Sequence, residues 1–154
     1  MKVESSFVEA HIFRIVNENL EFLLLKRAVN EIYPGLWQMV TGSINSNEKA
    51  YQTALREIKE ETGLIPSKFW IVPNINSFYW AEKDIICEIP VFAALVEPVV
   101  NVVISDEHSE YKWTDKNEAL NLLAYPGQHR SVEIINDYFI KRKYFLNFIE
   151  INIR

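Results

Sequence analysis

The chain has 154 residues, one domain's worth of sequence and enough for a single core. Hydrophobic content of 49% with 24% charged residues excludes disorder, and a formal charge of -5 argues against a general nucleic-acid binder, which needs clustered Lys and Arg. Cys87 is the only cysteine, which excludes an intrachain disulfide and a thiolate metal cluster. Glu4 and Glu9 stand where a signal peptide would carry its apolar run, and no stretch approaches the length of a membrane span, so a cytoplasmic enzyme or binding protein is expected. The acidic balance leaves room for a small phosphorylated ligand, because a divalent cation can bridge carboxylates to phosphate.

From the N-terminus, "SFVEAHIFRIV" (Ser6 to Val16) is rich in strand formers. Asn17-Glu18-Asn19 predicts a turn into "LEFLLLKRA", which makes a hairpin, and the continuous run Leu23 to Leu25 predicts a strand buried on both faces. Pro34 and Gly35 punctuate a loop before a short strand "LWQMVTG". Asn45, Ser46 and Asn47 offer cap chemistry and Gly63 a stop, so a helix is predicted from about Glu48 to Thr62. "FWIVPNINSFYWAEKDIICEIPVFAALVEP" reads as two strands with a turn at Ala81 to Asp84, and "SEYKWTD" as another. "KNEALNLL" and "HRSVEIINDYFIKRKYF" read as helices, the second with Val132, Ile135, Phe139 and Ile140 inward. The tail Tyr144 to Ile153 ranks first as a core or edge strand. This irregular order lacks the repeating β-α-β pattern of a doubly wound sheet, so an α+β fold with a mixed sheet flanked by helices is expected.

The helix carries the chemistry. At 100° per residue, Glu57, Glu60, Glu61 and Thr53 share a sector of about 100°. Tyr51, Ala54, Leu55, Ile58 and Thr62 fill the adjoining stripe that would bury, with Arg56 and Lys59 beyond the acids. Like charges at i and i+4 cost a few tenths of a kcal/mol. Three clustered carboxylates suit a hard divalent cation, which wants oxygen ligands and tolerates their charge. A solvated acidic helix face is the bland alternative.

That alternative leaves the spacing unexplained. Gly42, five residues, Glu48, seven residues, then Arg56-Glu57-Ile58-Lys59-Glu60-Glu61-Thr62-Gly63-Leu64 resembles the Nudix box at every specified position. Such a match arises by chance on the order of once in a hundred million start positions. The resemblance implies a single Nudix hydrolase domain over residues 1–154, an α/β/α sandwich holding the loop-helix-loop, and Mg²⁺ or Mn²⁺ as cofactor. It implies that Glu57, Glu60 and Glu61 are metal ligands, with the Gly42 carbonyl a further one. It also implies that Arg56 pairs with a box glutamate, Glu48 or Glu60, and holds its geometry. The implied reaction is in-line attack of water on a nucleoside diphosphate linked to another moiety. The box does not assign the carboxylate that takes the proton.

"WQMVTGS" and "EHSEYKW" resemble the bacterial dihydroneopterin triphosphate pyrophosphatases, which also hydrolyse dATP. A nucleoside or pterin triphosphate is therefore the first expected substrate. A dinucleoside polyphosphate, ADP-ribose or an oxidised nucleotide is the alternative, and a non-catalytic nucleotide-binding module the third reading. Glu107 or Glu110, on a polar loop, is a further ligand or the base, or else an ordinary acidic residue; His108 reads as structural or as a ligand contact. Lys26 and Arg27 end a core strand and are candidates to hold phosphates. Trp37, Gln38 and Ser43 are candidate pocket contacts, and Phe78, Tyr79 and Trp80 candidates for stacking. No nucleic-acid polymer or membrane is expected as a partner; a homodimer is one open state.

Overall fold

A computed structural model describes residues 1–154. After a three-residue strand β1 (Lys2–Glu4), strand β2 (Phe7–Val16) turns through Asn17 and Glu18 into β3 (Asn19–Arg27). Both turn residues have positive φ, 51° and 68°, the handedness that matches the twist of paired strands. Alternation along β3 then sends Leu23 and Leu25 to one face and Leu24 to the other, and all three are buried. The expected Leu36 to Gly42 strand is split at Met39 into β4 (Trp37–Gln38) and β5 (Val40–Ser43). Downstream come helix α1 (Ala50–Thr62), strands β6 (Lys68–Trp80), β7 (Ile85–Leu95) and β8 (His108–Thr114), and helices α2 (Lys116–Leu122) and α3 (Pro126–Lys141). A 3₁₀ segment at Lys143–Phe148 and strand β9 (Glu150–Ile151) end the chain.

Strand β2 is where the sheet divides. Its residues 7–10 pair antiparallel with β5 and its residues 13–16 antiparallel with β3, while residues 9–13 run parallel to β7. The main path is β4-β3-β2-β7-β6-β9, with β1 on β7 and β8 on β3. Helix α1 buries Ala54 and Ile58 against Val8, Ala10, Ile12 and Phe92 on one face. Helices α2 and α3 bury Ala119, Leu123, Val132, Ile135 and Phe139 against Phe13, Phe22, Leu24 and Trp70 on the other. The result is the expected α+β sandwich, a mixed sheet between helical layers. No helix is long and apolar enough to cross a membrane.

Three details differ from expectation. Helix α1 starts at Ala50 with Lys49 at its cap, and Gln52 Oε1 accepts from the Lys49 N–H at 2.9 Å. Asn45 to Asn47 are not caps; Glu48, the expected first helical residue, stays outside because its carboxylate is bonded to Arg56, Thr53 and the Asn45 N–H. In α3, Ile140 is 48% exposed, since it lies about 100° round the helix from Phe139. In the tail only Glu150 and Ile151 form an edge strand, against Phe69 and Trp70, and Tyr144 and Phe148 are exposed.

Candidate active site

Arg56 organises the outer part of the box. Its guanidinium turns back over the acids, not away from them. Nε and NH2 donate to the two Glu48 oxygens at 2.7 and 3.0 Å, NH1 to Glu57 at 2.7 Å and Glu60 at 3.2 Å, and NH2 also to the Ser43 carbonyl at 3.2 Å. Both expected partners, Glu48 and Glu60, are engaged, and Glu57 with them. The Arg56 hydrogen bonds hold the Glu48 carboxyl down to about 2. The same contacts, those to Glu48 first, raise the guanidinium pKa. Gly42 has a different role from a turn glycine. It lies in β5 opposite Val8, and a Cβ there would sit 2.3 Å from Glu57 Cγ, so its missing side chain is the space Glu57 occupies. Gly63 does end the helix, at φ 74°, with its N–H on the Lys59 carbonyl at 2.8 Å.

The inner part is dry. Glu61 is 2% exposed, not on an open acidic face, and neither of its carboxylate oxygens has a hydrogen-bond partner. Burial first, then close approach to the Glu57 carboxylate, then the negative charges of Glu57 and Glu107, push its pKa up to about 10. His108, the first residue of β8, faces it. A register shift between Lys26 and Arg27 sets His108 opposite Arg27, on the α1 side of the sheet. His108 Nε2 then lies 3.7 Å from Glu61 Oε1 and 3.2 Å from the Gln38 amide nitrogen. Glu61, Glu107 and His108 each offer a ligand atom within 4.8 Å of one another. Burial raises the Glu107 pKa, helped by the Glu57 charge, whereas burial and then the Arg27 charge lower that of His108 and favour neutral imidazole.

The remaining expected residues separate into two groups. Arg27 lies close enough to lower the pKa of Glu61 and Glu107, and it is held by Glu31 at 3.5 Å and by the Ile32 carbonyl. Gln38 is buried against His108, not open to a pocket. Ser43 contributes its backbone carbonyl to Arg56. Glu110 does not join the Glu61 group: it sits opposite Lys26 on β8, 3.6 Å from its ammonium. Lys26 lies over the Trp37 ring at 5.9 Å, and Trp37 packs on the α2/α3 core. Glu107 and Glu110 diverge because they stand three residues apart, an odd spacing that sends side chains to opposite faces of an extended chain.

Sequence reasoning missed a second polar cluster, on the α3 side. Glu9, 4% exposed, accepts from Asn76 at 3.1 and 3.2 Å and from Gln128 at 3.1 Å. Gly127 fits there because a Cβ would fall 1.9 Å from Asn76 Oδ1. His11, two residues on, is fully buried, and burial lowers its pKa to about 3. The available signal was Glu9 and His11 at period two in a stretch, Phe7 to Phe13, that is otherwise apolar.

The donor set fits a hard divalent cation. Glu57, Glu60 and Glu61 supply carboxylate oxygens from one helix, and Glu61 is a partnerless buried carboxylate that needs either a proton or a cation. The NUDIX domain family matches residues 6–138. An asymmetrical bis(5'-nucleosyl)-tetraphosphatase of Rattus norvegicus is 31% identical over 114 residues, 73% of this chain and 76% of that protein. A dihydroneopterin triphosphate diphosphatase of Escherichia coli is 26% identical over 113 residues, 65% of this chain and 74% of that protein. An octanoyltransferase of Myxococcus xanthus is 32% identical over 100 residues; these are 64% of this chain but 28% of that longer protein. The crystal structure of an Ap4A hydrolase of C. elegans shares the fold, with a TM-score of 0.72, 21% identity and coverage of 90% of this chain and 97% of that one. The chain therefore belongs to the Nudix family, whose members are pyrophosphohydrolases.

Proposed function

We propose that the protein hydrolyses a phosphate anhydride in a nucleoside or pterin triphosphate, releasing pyrophosphate and the monophosphate, with Mg²⁺ or Mn²⁺ as cofactor. The observation that carries this reading is Glu61, a buried carboxylate with no hydrogen-bond partner, in one cluster with Glu57 and Glu107. Glu57, Glu60 and Glu61 would hold the cation, with the Gly42 carbonyl beside them. When bound, such a cation neutralises phosphate charge and lowers the pKa of water. Arg56 keeps Glu57 and Glu60 in place, anchored in turn on Glu48. Glu107 is the exposed member of the group and the carboxylate best placed to take a proton from attacking water. Arg27 faces the same side and offers its guanidinium to the phosphates.

A dinucleoside polyphosphate is the second reading, favoured by the 31% identity to the rat tetraphosphatase across three quarters of both chains. The test is a panel of dATP, dihydroneopterin triphosphate, dinucleoside polyphosphates and ADP-ribose, ranked by kcat/KM in Mg²⁺. The proposal expects a triphosphate to lead and pyrophosphate to be the product. A leading dinucleoside tetraphosphate would favour the second reading, and no turnover on any member would remove the hydrolase assignment. Glu60→Gln and Glu61→Gln should both abolish turnover with the fold intact.

A further inference from the structure

We propose that His108, backed by Gln38, is a positioning residue that donates its Nε2–H to Glu61 and fixes the direction of that carboxylate. The inference rests on the reading of Glu61 as a cation ligand. Both side chains are shut away from water, His108 at 0% and Glu61 at 3% exposure, and their facing atoms are 3.7 Å apart. Neither Glu61 oxygen has a donor, and His108 Nδ1 has no partner either. A buried carboxylate without a donor, facing an imidazole whose far nitrogen also has no partner, needs an account.

The tautomer supplies one. If the Gln38 amide N–H donates to His108 Nε2, the imidazole must carry its proton on Nδ1, where no acceptor exists, and Glu61 faces a bare lone pair. Turning the Gln38 amide over places its oxygen at the same 3.2 Å position, since the two ends of the amide have the same shape. Nε2 then holds the proton and shares it between Gln38 and Glu61, while Nδ1 becomes an unprotonated acceptor. That arrangement removes the orphaned donor and gives Glu61 the only ring N–H within reach. A small rotation of the carboxylate closes the gap to hydrogen-bond length. The backbone supports this pairing from both sides of β3: Gln38 pairs with Leu25, and the bulge after Lys26 sets His108, not Ser109, opposite Arg27. Partners that orient a ligand carboxylate typically change metal affinity ~10–100-fold.

Two measurements on the full chain decide it. In wild type saturated with Mg²⁺ at pH 8, where Glu61 carries no proton, ¹⁵N NMR of labelled histidine should show His108 protonated on Nε2 and bare on Nδ1; the opposite tautomer overturns the proposal. In an EPR titration with Mn²⁺ alone, His108→Ala should bind ~10–100-fold more weakly. His108→Gln, whose amide nitrogen reaches the Nε2 position, should recover most of that loss. Unchanged Mn²⁺ affinity in a folded His108→Ala overturns the proposal, and if that variant fails to fold, the tautomer and the Gln variant decide. Wild type that binds no Mn²⁺ overturns the cation-site reading instead, an outcome told apart because the wild-type titration reads it before any variant is compared.

Discussion

Gly42→Ala should disable the site and leave the fold standing. The new Cβ would lie 2.3 Å from Glu57 Cγ and 2.6 Å from Cδ. Carbon atoms in contact sit at about 3.5–4.0 Å, so the overlap exceeds an ångström and no small adjustment absorbs it. The backbone is not the obstacle, because residue 42 is in an ordinary strand opposite Val8. Glu57 must therefore leave, and leaving breaks its 2.7 Å hydrogen bond to Arg56. Overpacking of this kind costs ~1–3 kcal/mol. The Glu57 side chain is 15% exposed and has a route to solvent, which puts the cost near the low end. A loss of ~1 kcal/mol lowers Tm by about 2–4 °C in a chain of this size. Turnover should fall much further, by at least ~100-fold, since a cluster carboxylate is displaced. The assay is pyrophosphate release at saturating Mg²⁺ beside thermal unfolding, repeated in a Glu57→Ala background. There the added methyl enters vacated space, and Gly42→Ala should cost almost nothing in Tm. Equal destabilisation in both backgrounds, or retained turnover in the single variant, refutes the clash.

Three further outcomes follow from the same geometry. Arg56→Lys should lower kcat/KM ~10–100-fold, because one ammonium cannot span Glu48, Glu57 and Glu60 as the planar guanidinium does; parity with wild type removes that role. Glu107→Gln should reduce kcat by ~10²-fold or more, whereas Glu110→Gln, which loses only an exposed pair with Lys26, should stay within about a fewfold; equal losses reverse the assignment. Glu9 has its pKa raised by burial against the opposing hydrogen bonds from Gln128 and Asn76, so the folded state keeps this proton to higher pH than the unfolded chain. Its contribution to stability is therefore full below the unfolded value near 4.5 and is lost as pH rises through the folded value. Urea unfolding of wild type and Glu9→Gln from pH 4 to 8 should show wild type losing stability relative to the variant, and parallel profiles would contradict this.

The box was legible because its parts are close in sequence. One helix carries Glu57, Glu60 and Glu61 at a spacing of 3.6 residues per turn, so their shared sector follows from the sequence alone. The N-terminal hairpin and the two-faced burial of Leu23 to Leu25 were legible for the same reason, as short-range periodicity. Arg56 was placed beyond the acids because a helical wheel positions Cβ atoms, and a long side chain folds back across a neighbour.

What lay outside that reach depends on contacts between distant segments. A wheel sets Glu61 about 20° from Ala54, at the edge of the buried stripe, and Glu60 about 100° further away, in line with 2% exposure for Glu61 and 58% for the Glu60 side chain. It does not show what closes over Glu61. His108 at the start of β8 faces it, and the loop before β8 lies alongside, with the Ser105 N–H donating to the Glu61 carbonyl at 3.3 Å. The placing of His108 beside Glu61 turns on a single register shift at Lys26 and Arg27, which no local pattern encodes. Glu9 meets Asn76 and Gln128 across 67 and 119 residues of chain. The sequence by itself thus determined the family, the mixed sandwich and the carboxylates on one helix face, since these follow from local spacing. The tertiary structure alone decided which histidine faces the dry carboxylate and which glutamate stands at its mouth, because register arises only when strands far apart in sequence pair.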